Sequence, residues 1–349
     1  MSFEDFELGE TRGDEVLVKI SSAGICHTDI NFHSGHYGID LPVVLGHEGA
    51  GIVEEVGSLV RNISVGDRVI LTFGTCGDCS PCRTGHQAYC TSVPELNLVG
   101  NRLDGSSAFG NDVRSHFFGQ SSFATRAIVP AANIVKVPDD APLDLLGPLG
   151  CGVQTGAGAI FNSLKVSAGQ SLAIWGAGAV GLSALMAAVV VGAYPIFMVD
   201  RNSERLKLAS ELGATFTCDA TSEDAVAQIR AECGLGANFS IEAAGSPAAL
   251  KQAVAALGPL GVCGMVGGVG AGTEASFDWQ HVQLHGIALR GIIEGDSTPS
   301  EMIPMLIELH RRGRFPLEKI VRYYDFVDID TAFADAASGA VIKPILRMP

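Results

Sequence analysis

Positive charge is scarce in this chain of 349 residues: 23 Lys and Arg stand against 38 Asp and Glu, for a formal net charge of -15. That balance argues against nucleic acid or an anionic membrane surface as the main partner. The start, Met1-Ser2-Phe3-Glu4-Asp5-Phe6, has no apolar leader. No secretory or transit signal is therefore expected, and the chain reads as cytoplasmic. Repeats and low-complexity tracts are also missing. Hydrophobic residues reach 47% and charged ones only 17%, which excludes disorder. One stretch, 171–199, carries no charge at all and is long enough to span a bilayer. Gly176, Gly178 and Gly181 interrupt it and Pro195 breaks its second half. It reads better as a buried strand, a glycine turn, a buried helix and a second strand.

What is present begins with thiols. Cys76-Gly-Asp-Cys79-Ser-Pro-Cys82 is followed by Cys90. Four cysteines at this density can surround one tetrahedral Zn²⁺ and close its coordination shell, so this metal is structural. Two disulfides are the alternative, and the absence of a secretory leader opposes them.

The length allows two domains. The first 150 residues read as strands and turns, with Glu15–Ile20, Gly51–Gly57, Asp67–Leu71, Ala124–Val129 and Ile134–Val137 as strands. Composition shifts near Gly152. Long apolar helices then alternate with short strands, Leu172–Trp175, Ile196–Val199, Phe216–Cys218, Phe239–Glu242 and Gly261–Val266. That alternation predicts an α/β fold with a doubly wound parallel sheet. A helix over Met302–Arg311 and a mixed tail follow.

Gly176-Ala-Gly178-Ala-Val180-Gly181 follows the first of these strands and opens a helix. In that context the pattern is a dinucleotide-binding turn, with the helix N-terminus offering N–H groups to a pyrophosphate. The next strand ends in Asp200, 19 residues past Gly181. A carboxylate there accepts hydrogen bonds from both adenosine ribose hydroxyls and repels a 2′-phosphate, which favours NAD over NADP. Arg201 follows and is the residue that could hold a phosphate instead.

Cys26-His27-Thr28-Asp29, Gly46-His47-Glu48-Gly49 and Cys151 lie far apart in the chain. Cys26, His47 and Cys151 together make a Cys₂His set, whose open fourth position is what a catalytic zinc needs. Spacing alone does not bring them together.

At these residues the chain resembles the zinc-dependent medium-chain alcohol dehydrogenases over nearly its whole length. The motifs are Gly24-Ile-Cys26-His-Thr-Asp29, Gly46-His47-Glu48-Gly-Ala-Gly51, the four-cysteine loop and the glycine turn with its Asp. Within the family it is most similar to bacterial aryl-alcohol (benzyl alcohol) dehydrogenases, through 116–123, 147–158 and 290–297. The resemblance implies a GroES-like, mostly-β catalytic domain (1–152 and 292–349) split by a Rossmann NAD-binding domain (153–291). It implies two zincs per subunit, with Cys26, His47 and Cys151 on the catalytic one and Cys76, Cys79, Cys82 and Cys90 on the structural one. Glu48 matches the carboxylate behind the catalytic metal, Asp29 the residue that orients His47, and Thr28 the hydroxyl that meets the substrate oxygen. Thr155 and Val180 match contacts to the nicotinamide, His27 and Lys343 positions near the pyrophosphate, and Arg205 one near the adenosine ribose. Phe73 and Phe123 are taken as aromatic walls of the substrate pocket.

The implied reaction is reversible, NAD-dependent oxidation of a primary aromatic alcohol to the aldehyde, with an allylic or terpenoid alcohol of the geraniol type as the alternative. A zinc-free quinone or enone reductase of the same fold is opposed by the Cys₂His set and Asp200. A non-catalytic metal-binding protein is opposed by the open site together with the cofactor turn. Asn31 stands where many relatives have the histidine that ends a proton relay. His33 nearby reads as a surface residue, and the proton is expected to leave from Thr28 through the cofactor ribose to water. Relatives carry some twenty more residues at the start than this chain. The family implies a homodimer or homotetramer, paired through Rossmann sheet edges near 267–291. Cys218, Cys233 and Cys263 read as core. His86, His116, His281, His285 and His310 have no ligand-like spacing.

Overall fold

The computed structural model describes residues 1–110 and 113–349. They fall into two compact units. One comprises Met1–Cys151, Thr298–His310 and Leu317–Pro349, the other Gly152–Ser297 and Arg311–Pro316.

The first unit begins with β1 (Glu15–Gly24), β2 (Gly49–Val56), β3 (Arg68–Leu71), β4 (Arg126–Pro130) and β5 (Ile134–Lys136). Val16, Val18 and Ile20 are buried while Lys19 between them is exposed, the period-two alternation of a half-buried strand. They pack on Val53, Val69, Leu71, Ala127 and Val129. The second unit contributes β6 (Leu172–Trp175), β7 (Ile196–Asp200), β8 (Phe216–Asp219), β9 (Ala237–Glu242), β10 (Leu257–Met265) and β11 (Ala288–Gly291). The chain then returns to the first unit with β12 (Val321–Asp325) and β13 (Lys343–Arg347).

In the first sheet the order is β12-β13-β1-β2-β3-β5, with β4 also on β1. Register explains why this sheet gathers chemistry at one end. β1 and β2 are antiparallel with Ala23 opposite Gly49. The residues just after β1 and just before β2 therefore meet, and Gly24 N–H donates to Glu48 O at 3.0 Å. β3 runs antiparallel to β2 with Ile70 opposite Ala50, so its C-terminal end arrives at the same place. β13 is antiparallel to β1 with Ile345 opposite Gly24, which brings the start of β13, Lys343, to that end as well.

The second sheet is parallel throughout, in the order β11-β10-β9-β6-β7-β8. Successive strands run outward from β6 in both directions, so the order reverses there. Ligands bind open α/β sheets at such a point, outside the strand C-termini. The uncharged stretch 171–199 resolves into β6, a glycine turn, the helix Ala179–Val191 and β7. That helix is apolar all round because Gly181–Ala188 are all buried. No helix among the described residues is long and apolar enough to cross a membrane.

Several boundaries differ from the expected strands: β10 begins at Leu257 rather than Gly261, and β12 and β13 form within what reads as a mixed tail. β1 continues to Gly24 because β13 supplies ladder partners for Ser22, Ala23 and Gly24. β11 was not expected at all, since Ala288-Leu-Arg-Gly291 is a short and largely exposed edge strand with no apolar alternation.

Candidate metal centres and dinucleotide site

The sheet end of the first unit brings Cys26, His47, Glu48 and Cys151 together, with one ligand atom of each lying within 4.8 Å of the others. Cys26 caps the helix His27–His33. His47 and Glu48 follow Gly46, whose φ of +93° is one that L side chains rarely adopt. A Cβ there would lie 2.5 Å from the Phe123 backbone nitrogen. Cys151 follows the buried turn Gly147–Gly150, which Thr72 fixes by donating its hydroxyl to Gly150 O at 2.8 Å.

Asp29, fully buried, organises the cluster. One carboxylate oxygen accepts from Cys26 N–H at 3.0 Å. The other accepts from Gly46 N–H at 3.1 Å and faces His47 Nδ1 at 3.0 Å. His47 therefore carries its proton on Nδ1, and its buried Nε2 has no hydrogen-bond partner. A buried imidazole nitrogen left with a lone pair beside two thiols is a metal donor by its chemistry. The set fits Zn²⁺.

Behind the cluster, Lys343 Nζ lies 2.9 Å from both Glu48 carboxylate oxygens and 3.1 Å from Ile25 O. Both side chains are buried. Burial by itself pushes the Lys343 pKa down, but the Glu48 charge outweighs it and holds the ammonium well above its ordinary value. Burial also raises Glu48, against the opposing pull of Lys343.

Thr28 Oγ1 is half-buried and 3.7 Å from Cys26 Sγ. His27 is exposed on the same helix, Asn31 is half-buried, and His33 is an exposed side chain stacked edge-on to Phe333 at 5.4 Å.

The second thiol cluster sits on an excursion between β3 and β4. Cys76, Cys79, Cys82 and Cys90 bring their Sγ atoms within 4.8 Å of one another, and none is in a disulfide. Backbone N–H groups point at sulfur: Cys79 to Cys76 Sγ at 3.3 Å, Cys76 to Cys90 Sγ at 3.3 Å and Ser92 to Cys90 Sγ at 3.4 Å. The N–H groups of Thr91 and Cys82 lower the Cys79 thiol to about 6, whereas burial and the neighbouring Cys79 push Cys82 up to about 12, so four thiolates together would need a cation among them. Four thiols and no other donor type make a closed zinc shell.

In the second unit the glycine turn occupies the switch point. A Cβ on Gly178 would meet nothing within 4 Å, whereas one on Gly181 would lie 1.8 Å from Gly176 O. The backbone is thus bare on the side where a pyrophosphate approaches and tight on the side where helix meets strand. Asp200 ends β7 half-buried, its carboxylate aimed by Ala177 N–H at 2.6 Å and Asn202 N–H at 2.8 Å. Val180 is half-buried in the first turn of the following helix, Thr155 is buried on the helix Gly152–Gly158, and Arg205 is half-buried on the helix Ser203–Glu211. These residues fit a dinucleotide.

Of the expected pocket aromatics, Phe73 is buried, and Phe123 lies in a core cluster with Phe32 and packs on Phe333. A different pair stands against the metal cluster. The Phe118 ring is 4.6 Å from the His47 imidazole at a 30° tilt, and Phe117 is 5.7 Å away edge-on. Phe118 has φ +51° and Ser121 φ +47°, strain of the sort that collects at ligand sites. Gln120 completes the grip, donating to His47 O at 2.9 Å and accepting from Gly49 N–H at 3.1 Å. The stretch 116–123 carries part of the resemblance, but sequence reasoning gave Phe117 and Phe118 no role, because nothing local says which of several phenylalanines faces a histidine seventy residues upstream.

Residues 12–139 match the alcohol dehydrogenase GroES-like domain and residues 179–310 the zinc-binding dehydrogenase domain. The chain is 44% identical over 351 residues to geraniol dehydrogenase of Castellaniella defragrans, covering 99% of this chain and 94% of that one. Among solved structures it resembles benzyl alcohol dehydrogenase from Acinetobacter calcoaceticus (46% identity, TM-score 0.96, 99% of this chain and 94% of that one). It also resembles an alcohol dehydrogenase zinc-binding domain protein from Burkholderia ambifaria (49% identity, TM-score 0.96, 98% and 94%).

Proposed function

Because the chain belongs to the zinc-dependent medium-chain alcohol dehydrogenases, with zinc and NAD as cofactors, we propose that it oxidises a primary aromatic alcohol of the benzyl type to its aldehyde. The observation that carries the aromatic substrate is the Phe118 ring set 4.6 Å from His47. An aryl group on the carbinol carbon then meets an aromatic wall beside the metal ligands, a contact worth about 0.5–1.5 kcal/mol beyond area burial.

When bound, zinc supplies Lewis acidity toward the alcohol and NAD supplies the hydride acceptor. Cys26, His47 and Cys151 would hold the catalytic metal, and Cys76, Cys79, Cys82 and Cys90 the structural one. Asp29 keeps the His47 proton on Nδ1, so that Nε2 faces the cluster. Glu48 and Lys343 form a neutral pair behind it. The Thr28 hydroxyl would accept the hydrogen bond of the substrate hydroxyl and receive its proton while passing its own on toward water. The amide of Asn31 does not titrate near neutral pH, so Thr28 is the side chain that starts the proton's exit. Asp200 holds the adenosine ribose, with Arg205 nearby, and its charge supports NAD against a 2′-phosphate. By the family resemblance, Thr155 and Val180 would meet the nicotinamide and His27 the pyrophosphate.

A second reading, an allylic or terpenoid alcohol, is favoured by the 44% identity to geraniol dehydrogenase. An allylic alcohol also puts a planar π system next to the carbinol carbon. The test is kcat/KM with NAD for benzyl alcohol, cinnamyl alcohol, geraniol and ethanol, with and without a chelator. Benzyl alcohol leading the panel supports the first reading, geraniol leading supports the second, and ethanol leading removes both. Turnover indifferent to the chelator would count against the metal assignment.

Subunits are proposed to pair through β11. It is an edge strand with exposed residues, and Leu260, Trp279 and Leu284 nearby in the same unit are 80%, 78% and 72% exposed. A sedimentation profile of a lone monomer would refute the pairing.

A further inference from the structure

We infer that Glu294 is a positioning residue for the nicotinamide end of the cofactor site, acting through Thr155. This rests on the reading of Thr155 as a nicotinamide contact. Glu294, Gly295 and Asp296 have φ of +50°, +64° and +50° in succession. Two of the three are L-residues held in the left-handed region, which they adopt only when the surroundings impose it. The surroundings here do so. Asn162 Nδ2 donates to Gly295 O at 3.2 Å and to Asp296 O at 3.4 Å. Arg290 Nη2 donates to Asp296 Oδ2 at 2.6 Å.

The turn is also pressed onto the helix Gly152–Gly158. A Cβ on Gly158 would lie 2.3 Å from Gly295 O, and one on Gly295 would lie 2.5 Å from Gln154 O and 2.8 Å from Thr155 O. Turn and helix therefore form a single rigid seat. Across that seat one Glu294 oxygen, Oε2, accepts from Gln154 Nε2 at 3.2 Å and from Thr155 Oγ1 at 3.4 Å.

Threonine is stiff at χ1 because its Cβ carries both a hydroxyl and a methyl. Fixing the hydroxyl fixes where the methyl faces. Glu294 thus helps to fix which surface of the buried Thr155 is presented to the nicotinamide ring. The turn belongs to a different strand end from the adenosine machinery at Gly178 and Asp200, so the two halves of the cofactor should respond separately to its loss.

The test is equilibrium binding of NAD, and of ADP-ribose, which lacks the nicotinamide, to the full zinc-loaded protein by calorimetry. Glu294→Ala is expected to weaken NAD by about fivefold, the scale of one ordinary hydrogen bond, and ADP-ribose by less than about twofold. Glu294→Gln keeps a carbonyl acceptor and is expected to recover most of the loss. Thr155→Val, which removes only the hydroxyl, is expected to match Glu294→Ala, and the double variant to add nothing further. Equal losses for both ligands, or additive effects in the double variant, would overturn the inference, as would NAD binding unchanged in Glu294→Ala. Wild-type protein that holds ADP-ribose but gains nothing from the nicotinamide would instead overturn the dehydrogenase reading, and this inference with it.

Discussion

Two thiol clusters in one unit are built in opposite ways. The four-cysteine loop draws every donor from Cys76 to Cys90, has exposed neighbours in Gly77 and Asp78, and needs little from the rest of the sheet. The Cys26, His47, Glu48 and Cys151 cluster draws donors from three distant segments and surrounds them with buried Asp29, Phe117 and Lys343. The first is closed chemically, since four thiols leave no room for a fifth partner. The second combines mixed donors with an orphaned imidazole nitrogen, and its supporting charges come from the fold. A local cluster can serve as a staple. Only the assembled one can be tuned by neighbours, which chemistry requires.

The sharpest test of that contrast is Cys151→Ser against Cys82→Ser. Cys151→Ser should abolish turnover and reduce zinc from two to one per subunit while circular dichroism stays unchanged. Cys82→Ser should also cost one zinc but leave kcat per remaining zinc close to wild type. Its penalty should appear as a melting temperature lower by roughly 5–10 °C. Metal analysis and steady-state kinetics on the same preparations decide between these outcomes. Loss of turnover in both would erase the distinction.

A smaller effect is expected at the charges behind the buried cluster. Lys343→Met strands the Glu48 carboxylate, and breaking a buried pair costs about 3–5 kcal/mol. The double change Lys343→Met with Glu48→Gln should recover part of that stability in a denaturant titration. Among the described residues of the four-cysteine loop the ion pair is Arg83 with Asp78, 3.9 Å apart and exposed on both sides, so a charge reversal at Asp78 should change stability by no more than about 0.5 kcal/mol.

The smallest effect concerns acid. Glu15 is buried on β1 and grips Arg102 by two 2.7 Å hydrogen bonds, with His116 Nε2 3.6 Å away. Burial raises its pKa, but its contacts with His116 and Arg102 outweigh that and bring it down to about 2. A depressed carboxylate stabilises the fold fully above its unfolded pKa, and that contribution disappears as pH falls through the folded value. The contribution of Glu15 should therefore be complete above about pH 4.5 and lost toward pH 2. Because His116 leads directly into Phe117 and Phe118, acid should loosen the wall beside His47. Glu15→Gln should flatten this part of the stability profile, and an unchanged acid limb would count against the assignment.

The legibility of the two clusters followed the same division. The four-cysteine loop could be read outright, since its donors share one short segment. The glycine turn could be read because strand, turn and helix follow each other directly in 172–191. Cys26, His47 and Cys151 were readable only through resemblance, as their meeting depends on the register of β1, β2 and β3. Lys343 was placed near the pyrophosphate by resemblance alone, and its pairing with Glu48, set up by the antiparallel register of β13 with β1, had no local signal. Phe118 and Glu294 lie in stretches that carry the resemblance, yet their roles had no local signal, because a ring beside a histidine and a carboxylate beside a threonine are facts of packing.

Residue order alone determined the donor types, the closed thiol shell, the dinucleotide turn and the alternation that makes a parallel sheet. Each of these is a local pattern, governed by covalent spacing and backbone preference. Tertiary structure decided which distant donors share one metal cluster, which carboxylate is neutralised by Lys343 and which aromatic faces His47. Those choices are made by sheet register and side-chain packing, where a one-residue shift turns every side chain to the other face.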